Sequence, residues 1–438
     1  MKQRFIILFA FLLLFNQAKT QTELQFKRPD SLFAYAEKNS VSIKTGEQKQ
    51  LLAKWQKISA KTGLFNFRMQ TNFSMTDNIE LPVTYLPGEA FGGEPGTFKE
   101  VTTGQKYITN LNFIPQIDII NPVSWAKLKS AKINSELTDV NNLIAKKTLY
   151  ESLSAIYFNT VSLQKQIIIT KNSLKTADTL LKIIQYKYDE GIVRLQDLND
   201  MKANKISTSD KLQQLKKNLE NQYYSLKVLC DIPENVSVKI NDTLNFDIGF
   251  IPELNTDNQL HYRKSFLEAE DLKTKIKETQ YMQLPVISLM FYDAWQQNDN
   301  EQFFNSSRRW INPKYIGLKV SLPFPNINSY TQTKTTKINH TIAMQNAEHA
   351  KIKNESENLQ MKSDYEKAYE QAKNVLEIYR LKKENYRLSL NQYNADILSS
   401  ERLLTAFNDL LYSKLNYSNA LANLKYGKIR IDINNTIQ

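Results

Sequence analysis

Helix-breaking residues are almost absent from two long stretches of this sequence. The 438 residues include 12 prolines and 11 glycines, but no proline lies between Val123 and Ile232 or after Pro325. The only glycines in these two stretches are Gly191 and Gly427. Proline costs about 3 kcal/mol and glycine about 1 kcal/mol in a helix interior, so their joint absence predicts very long helices.

Cysteine and long apolar segments are also scarce. Cys230 is the only cysteine, which excludes an internal disulfide framework. The basic residues Lys2 and Arg4 precede a short apolar run, a pattern typical of a secretory signal, which we expect over residues 1–20. No later segment approaches the roughly 20 apolar residues of a membrane-spanning helix. A membrane role would therefore have to use β-strands.

Each stretch without helix breakers predicts one long helix and one shorter helix that returns beside it. Asn121 and Pro122 have the composition of a helix start, with an N-cap residue followed by proline at the first helical position. We expect long helices over 122–186 and 326–392. The returning helices are expected over 193–231 and 397–426.

Apolar residues on these helices follow a heptad pattern. They alternate at spacings of three and four from Leu149 to Tyr188, and a second stripe runs from Leu403 to Leu424. A further row through Leu411 widens the apolar face of the last helix, which indicates two neighbouring helices. This pattern is typical of a closed ring of helices, although an ordinary coiled-coil dimer has the same periodicity.

Four shorter segments have the alternating polarity of β-strands. We expect these strands near 64–76, 107–119, 285–295 and 314–322. Residues 77–106 and 296–311 are expected to form loops, and residues 233–283 a linker and a helix. Four strands cannot close a barrel, and open edges are not tolerated in lipid, so closure would require several copies of the chain.

The order of elements occurs twice, at an offset of about 205 residues. The first repeat is expected over 21–232 and the second over 233–438, with a short tail after the last helix. In the turns between the long and returning helices, Tyr188 and Gly191 correspond to Tyr393 and Asp396.

On these residues the sequence resembles the TolC family of outer-membrane efflux proteins. The resemblance rests on the Tyr-x-x-Gly turn that opens a returning helix, and it departs from the family pattern where Asp396 replaces glycine. It implies a mainly α fold with a membrane β-barrel part: a long antiparallel coiled-coil tunnel and four barrel strands per chain, closed by three copies into a 12-stranded barrel. The implied location is the outer membrane of a Gram-negative bacterium, with a periplasmic extension.

The resemblance also implies a function and partners. The chain would be the passive exit duct of a tripartite efflux or type I secretion system, assembled as a homotrimer with a periplasmic adaptor and an inner-membrane pump. The two turns would form the periplasmic entrance, with eight residues at or near it: Tyr188, Gly191, Asp197, Asp200, Tyr393, Asp396, Glu401 and Arg402. No nucleic-acid partner is implied, because the lysines behind the formal charge of +12 are spread along the chain.

Two alternatives remain open from the sequence. Asp197 and Asp200 share a helix face, where they could either stabilise the helix start or, with Glu401, attract cations to an entrance. The whole chain could instead be a periplasmic coiled-coil adaptor or a structural protein without a barrel. The sequence contains no nucleotide-binding, hydrolase or metal-ligand motif, so neither an enzyme nor a cofactor is expected.

Overall fold

A computed structural model of the chain describes residues 23–245, 253–255 and 259–437. The expected signal segment, residues 1–20, lies outside the described residues. The elements, in chain order, are β1 (Glu23–Phe26), α1 (Pro29–Asn39), α2 (Val41–Thr62), β2 (Arg68–Asp77), β3 (Val83–Pro87), β4 (Phe98–Thr102), β5 (Tyr107–Ile120), α3 (Pro122–Asp189), α4 (Leu195–Cys230), β6 (Ser237–Ile240), α5 (Leu260–Tyr281), β7 (Val286–Asp299), β8 (Lys314–Ser321), α6 (Ile327–Asn394) and α7 (Ser400–Thr436). Among the described residues, no helix combines the length and the apolar character needed to cross a membrane.

The long helices and the four-strand pattern of the fold class are confirmed. Helices α3 and α6 each have 68 residues, and each is followed by a returning helix, α4 and α7. The chain divides into two compact units. One contains residues up to Gln50, Thr138–Lys264 and Ala347–Gln438, and the other contains Leu51–Leu137 and Ser265–Asn346. Each unit therefore takes segments from both sequence repeats.

The first unit is mainly helical, and its heptad seams are buried. Every member of the stripe from Leu149 to Tyr188 is buried or half-buried, and Leu153 is completely inaccessible. Helix α7 packs against α6 through Ala420, Leu424 and Ile431. Each stripe is stable only against a partner helix, because burial of each large apolar side chain contributes about 1.5–3 kcal/mol to the stability of the fold.

The second returning helix ends ten residues later than the sequence predicted, at Thr436 and not at residue 426. The glycine at 427 does not interrupt the helix because it allows a close approach to α6. A Cβ atom at Gly427 would lie 3.3 Å from Cδ2 of Tyr365. Beyond it, Ile431 and Ile433 are buried, so the added turns are held by packing.

The second unit contains a four-stranded antiparallel sheet with the order β2-β5-β7-β8. Strands β2 and β8 are the sheet edges, and all ten residues of β2 are exposed. One sheet face is largely apolar, with Phe73 paired with Leu111 and Leu289 paired with Leu318, and an ion pair between Asp293 and Lys314 lies in a row between them. The opposite face is richer in polar side chains, although Ile108, Ile114 and Met290 also lie on it. This separation is what a membrane strand requires, since alternate residues point to opposite faces.

The strand boundaries differ from the predictions at two places. Strand β2 begins at Arg68 and not near residue 64, because Asn66 has a φ of 37° and its amide donates to Asp118 across the sheet over 2.8 Å. Strand β7 continues to Asp299, four residues past the predicted end. The predicted loop at 77–106 also contains a hairpin, formed by β3 and β4.

Candidate functional site

The two turns between long and returning helices have the same backbone geometry. In the first, Gly191 has a φ of 74° and Ile192 donates its N–H to the carbonyl of Lys187. In the second, Asp396 has a φ of 58° and Ile397 donates to the carbonyl of Gln392. Both turns are Schellman motifs, which need a left-handed residue at one position. Aspartate is among the few residues other than glycine that adopt it at modest cost, which accounts for Asp396.

Asp197 stabilises the start of helix α4. Its Oδ2 accepts a hydrogen bond from the backbone N–H of Arg194 over 3.1 Å and another from the guanidinium Nε of the same residue over 3.2 Å. Burial raises the pKa of the Asp197 carboxyl, but the hydrogen bonds from Arg194 outweigh it and hold that pKa below its ordinary value. The structure therefore favours the helix-start role for this residue.

The start of α7 is capped differently. Ser399, which the sequence reasoning did not single out, occupies the N-cap position and its hydroxyl accepts from the backbone N–H of Arg402 over 3.5 Å. Ser399 is followed two residues later by Glu401 in the first turn, a pattern that could have identified it. The caps differ, but both returning helices begin with a polar contact and an acidic first turn.

A lysine of the first turn is bound to an aspartate of the second. Lys187, near the end of α3, forms an ion pair with Asp396, and its Nζ also lies over the ring of Tyr393, 4.5 Å from the centroid. Lys187 is 17% exposed and Asp396 is 74% exposed. This bridge joins the tips of the two helical hairpins. The sequence reasoning missed Lys187, which corresponds to a neutral residue, Gln392, in the other repeat.

The tyrosines of the two turns are packing residues. Tyr393 is 2% exposed and belongs to an apolar cluster, and Tyr188 packs against the same cluster. The hydroxyl oxygen of Tyr393 is buried without a hydrogen-bond partner among the described residues. We call this cluster the tip cluster. Its buried members come from the two long helices, α3 and α6, and the two returning helices, α4 and α7: Ala177, Leu180, Ile184, Leu198, Met201, Tyr393, Leu403 and Phe407.

The remaining predicted residues are exposed at the same end of the hairpins. The hydrogen bond that Arg194 donates to Asp197 raises the pKa of its guanidinium most, and the charges of Glu401 and Asp200 raise that pKa further. Arg402 is exposed and forms no ion pair within the described part of the chain. Of these three acids the structure thus binds Asp197 to Arg194, and Arg402 forms no ion pair within the described residues.

Farther from the turns, an ion pair joins the two helices of each hairpin at nearly equivalent positions of the two repeats, with the signs exchanged. In the first hairpin Asp178 of α3 accepts from Lys205 of α4 over 2.6 Å. In the second hairpin Lys382 of α6 donates to Asp409 of α7 over 2.5 Å. Both pairs hold a returning helix to its long helix.

Comparison with solved structures identifies the fold. The chain is similar to the outer membrane protein VceC from Vibrio cholerae, with a TM-score of 0.74 and 14% identity over 93% of this chain and 94% of that one. It is also similar to the outer-membrane channel OprN, with a TM-score of 0.74 and 15% identity over 94% of this chain and 90% of OprN. A third match is the CmeC outer membrane channel of Campylobacter jejuni, with a TM-score of 0.69 and 16% identity over 93% of this chain and 85% of CmeC.

The chain has the TolC fold. The resemblance predicted from the turn motif and the repeat is therefore confirmed at the level of the fold. Neither a protein-family model nor a curated protein sequence matches the chain. The TolC fold of this chain places its two turn motifs together at one end of the long helices, where the tip cluster and the Lys187–Asp396 bridge lie.

Proposed function

We propose that this chain is the exit duct of an export system in the outer membrane. The proposal rests on the four-stranded sheet, which has two open edges and one largely apolar face. Strands β2 and β8 expose nearly all of their residues, and unpaired edges of this kind are not tolerated in lipid. The long helices α3 and α6 on the same chain would supply the periplasmic tunnel.

Three copies would close the barrel. Each chain contributes four strands, so pairing β8 of one copy with β2 of the next gives the 12-stranded barrel that the resemblance implies. The proposal includes the two-repeat origin of the chain, with repeats at 21–232 and 233–438. Its support is that each repeat contributes two strands of the sheet, one long helix and one returning helix.

The duct would be passive, with an adaptor and an inner-membrane pump as partners that provide the energy and the selection of cargo. The proteins whose structures it resembles are described as outer-membrane channels, which supports a location in the outer membrane and a role other than catalysis. The periplasmic end would be the one with the two turns, because the turns follow the last residues of α3 and α6, whereas strands β5 and β8 precede their first residues in the chain.

The entrance would be formed by the eight residues predicted from the sequence, with Lys187 added. In this proposal the Lys187–Asp396 bridge holds the two hairpins of one chain together, and Tyr188 and Tyr393 keep them packed. Asp200 and Glu401 would present carboxylates to arriving solutes. Arg402 would be available to a carboxylate of a neighbouring copy, in which case Arg402→Ala raises single-channel conductance.

Cross-linking of the two sheet edges tests the proposal. In a cysteine-free background, Phe73→Cys on β2 would be combined in turn with cysteines at Ile316, Leu318 and Val320 on β8, and membranes would be oxidised with copper phenanthroline. We expect at least one combination to give covalent dimers and trimers. The matched control combines Phe73→Cys with Leu289→Cys on the central strand β7, which has no free edge and should give none.

Fractionation separates the proposal from the alternative of an adaptor or fibre. A barrel protein should require detergent for extraction from the outer membrane and should run as a trimer in native mass spectrometry. A chain that is released with the soluble periplasmic contents, without edge-to-edge cross-links, would contradict the proposal.

A further inference from the structure

A groove of about 280 Å³ lies between helix α1 and the end of helix α7, within the first compact unit. We call it the α1–α7 groove. One wall comes from α1 and the other from α7, and Tyr150 of α3 contributes to the floor between them. The residues that line this groove belong neither to the two turns nor to the tip cluster. It is therefore separate from the proposed entrance.

The floor of the α1–α7 groove is apolar and is held in place by contacts inside the protein. Phe33 and Tyr150 stack with their ring centroids 4.3 Å apart. The hydroxyl of Tyr150 also donates a hydrogen bond to Glu37 over 2.6 Å. Ile429 and Ile433 complete the floor, the first half-buried and the second buried. Such a floor can bind the hydrocarbon part of a ligand, because the contact removes apolar surface from water.

Two carboxylates without a partner border this floor. Asp30 in the first turn of α1 and Asp432 one turn before the end of α7 both line the groove, and neither side chain forms an ion pair or a hydrogen bond within the described residues. Burial raises the pKa of the Asp432 carboxyl, the charge of Lys428 opposes this rise, and the charge of Asp30 adds to it. The third carboxylate of the groove is already paired, because Glu37 is bound to Lys146 over 2.5 Å. Two negative charges are thus left unpaired beside an apolar floor.

The end of α7 adds negative potential beside Asp432. A helix carries about half an elementary negative charge at its C-terminus, which makes a carboxylate there unfavourable and a cation favourable. The last turn of α7 contains no lysine or arginine that would supply this cation. The α1–α7 groove therefore combines an apolar floor with negative potential that no ion pair neutralises.

We propose that the α1–α7 groove binds a small organic cation that carries an apolar group, such as a quaternary ammonium compound. Its apolar group would lie on the floor, and its positive charge would lie beside Asp432 and the end of α7, with Asp30 on the opposite wall. A neutral ligand would leave the half-buried carboxylate of Asp432 without a counter-charge, and both carboxylates would repel an anion. The site lies within one chain, so the inference goes beyond the proposed duct and does not rest on it.

A second groove of about 290 Å³, between α2 and α3, lacks this combination. Its carboxylates are those of Glu47 and Asp139. Asp139 already accepts a hydrogen bond from Gln50 over 3.2 Å, and Lys146 lines the same groove. No aromatic side chain is among its described lining residues. Glu47→Gln is therefore the matched control for the loss of a carboxylate outside the α1–α7 groove, and it should leave binding unchanged.

Binding would be measured with phenyltrimethylammonium, whose neutral analogue of nearly the same shape is 2-phenyl-2-propanol and whose anionic counterpart is benzenesulfonate. The full-length protein would be reconstituted in phosphatidylcholine nanodiscs and titrated by saturation-transfer difference NMR, with empty nanodiscs as the blank. We expect saturable binding of the cation with a Kd on the order of 1 mM, since a ligand of about ten heavy atoms binds weakly. The neutral alcohol and benzenesulfonate should each bind at least about tenfold more weakly.

Substitutions in the groove test its position and its charge. Asp432→Asn should weaken binding of the cation about tenfold, and Asp30→Asn, on an exposed side chain, about twofold. Ala34→Phe adds a ring at the exposed rim and should abolish binding, whereas Lys38→Phe, one turn along α1 and outside the groove, should not. Melting temperatures measured without the cation check that each variant is folded.

Three results would overturn the inference. They are equal affinity for phenyltrimethylammonium and 2-phenyl-2-propanol, binding that persists at full strength in both Asp432→Asn and Ala34→Phe, or no saturable binding by the assembled protein. The last result is expected if a neighbouring copy or another protein covers the groove. A protein that binds the cation but conducts no ions would contradict only the proposed duct, so the two proposals fail separately.

Discussion

The bridge between Lys187 and Asp396 is the contact whose removal should change the entrance most directly. It connects the tip of α3 to the turn after α6, which no other ion pair at the tip does within the described residues. We would replace Lys187 with methionine, which keeps the unbranched stem and removes the charge. Asp396→Asn removes the partner and preserves the backbone, because asparagine also adopts the left-handed conformation that this position requires.

The size of the effect follows from the exposure of the pair. Asp396 is 74% exposed, so solvent screening limits the ion pair to about 0.5 kcal/mol. The contact of Lys187 with the ring of Tyr393 adds about 0.5 kcal/mol. A loss of about 1 kcal/mol per chain corresponds to about a fivefold change in the equilibrium between joined and separated hairpins. Three copies that must separate together would give about a hundredfold change in the closed-to-open ratio.

Planar-bilayer recording measures this ratio as the fraction of time each channel spends open. Both single variants and the double variant would be compared in a double-mutant cycle, which isolates the coupling between the two side chains. The control is Lys217→Met, which removes an ion pair to Glu220 within helix α4, 2.9 Å long, that does not join hairpins. We expect no change in open fraction for that control.

The coupling energy from this cycle tests whether the bridge holds the two hairpins together. If Lys187→Met and Asp396→Asn change the open fraction independently of each other, with effects that simply add in free energy, the bridge does not hold the hairpins together. An open fraction that stays the same in all three variants would show that the entrance is held by contacts other than this bridge.

Three further predictions concern the helices and the exposed acids. Leu163→Pro should prevent assembly into trimers, because it costs at least about 3 kcal/mol in the interior of α3 and disturbs a side chain that is 7% exposed, whereas Glu80→Pro in an exposed loop should assemble normally in native gels. Asp197→Asn should lower the melting temperature by a few degrees, since it weakens a helix start contributing about 0.5–1 kcal/mol. Because the pKa of Asp197 is lowered in the folded protein, its contribution is present above the unfolded pKa and is lost as the pH falls through the folded pKa, so the variant and the parent should converge in stability at strongly acidic pH. Neutralising Asp200 and Glu401 together should reduce cation selectivity in bilayer recordings without lowering the melting temperature, and an unchanged selectivity would exclude them from the entrance.

The helical part of the fold could be predicted because its information is local and repetitive. The absence of proline and glycine, the heptad spacing and the caps each act within a few turns of helix, and together they placed α3 and α6 to within a few residues. Local rules were insufficient where a distant contact reversed them. Gly427 lies inside a helix because Tyr365 occupies the space that a side chain at this position would fill. Strand β2 begins later than predicted because the amide of Asn66 binds Asp118.

In the candidate site, too, some features follow from the sequence and others only from the tertiary structure. The sequence by itself determined the two turns, since the spacing of Tyr188 and Gly191 and its repetition at Tyr393 and Asp396 are fixed along the chain. Only the tertiary structure decided that Lys187 reaches Asp396. It also decided that Asp197 is bound to Arg194, whereas the side chain of Arg402 forms no ion pair within the described chain. The reason is physical: turn geometry depends on neighbouring residues, whereas an ion pair between two hairpins depends on how their apolar stripes set the rotation of each helix, which no local pattern specifies.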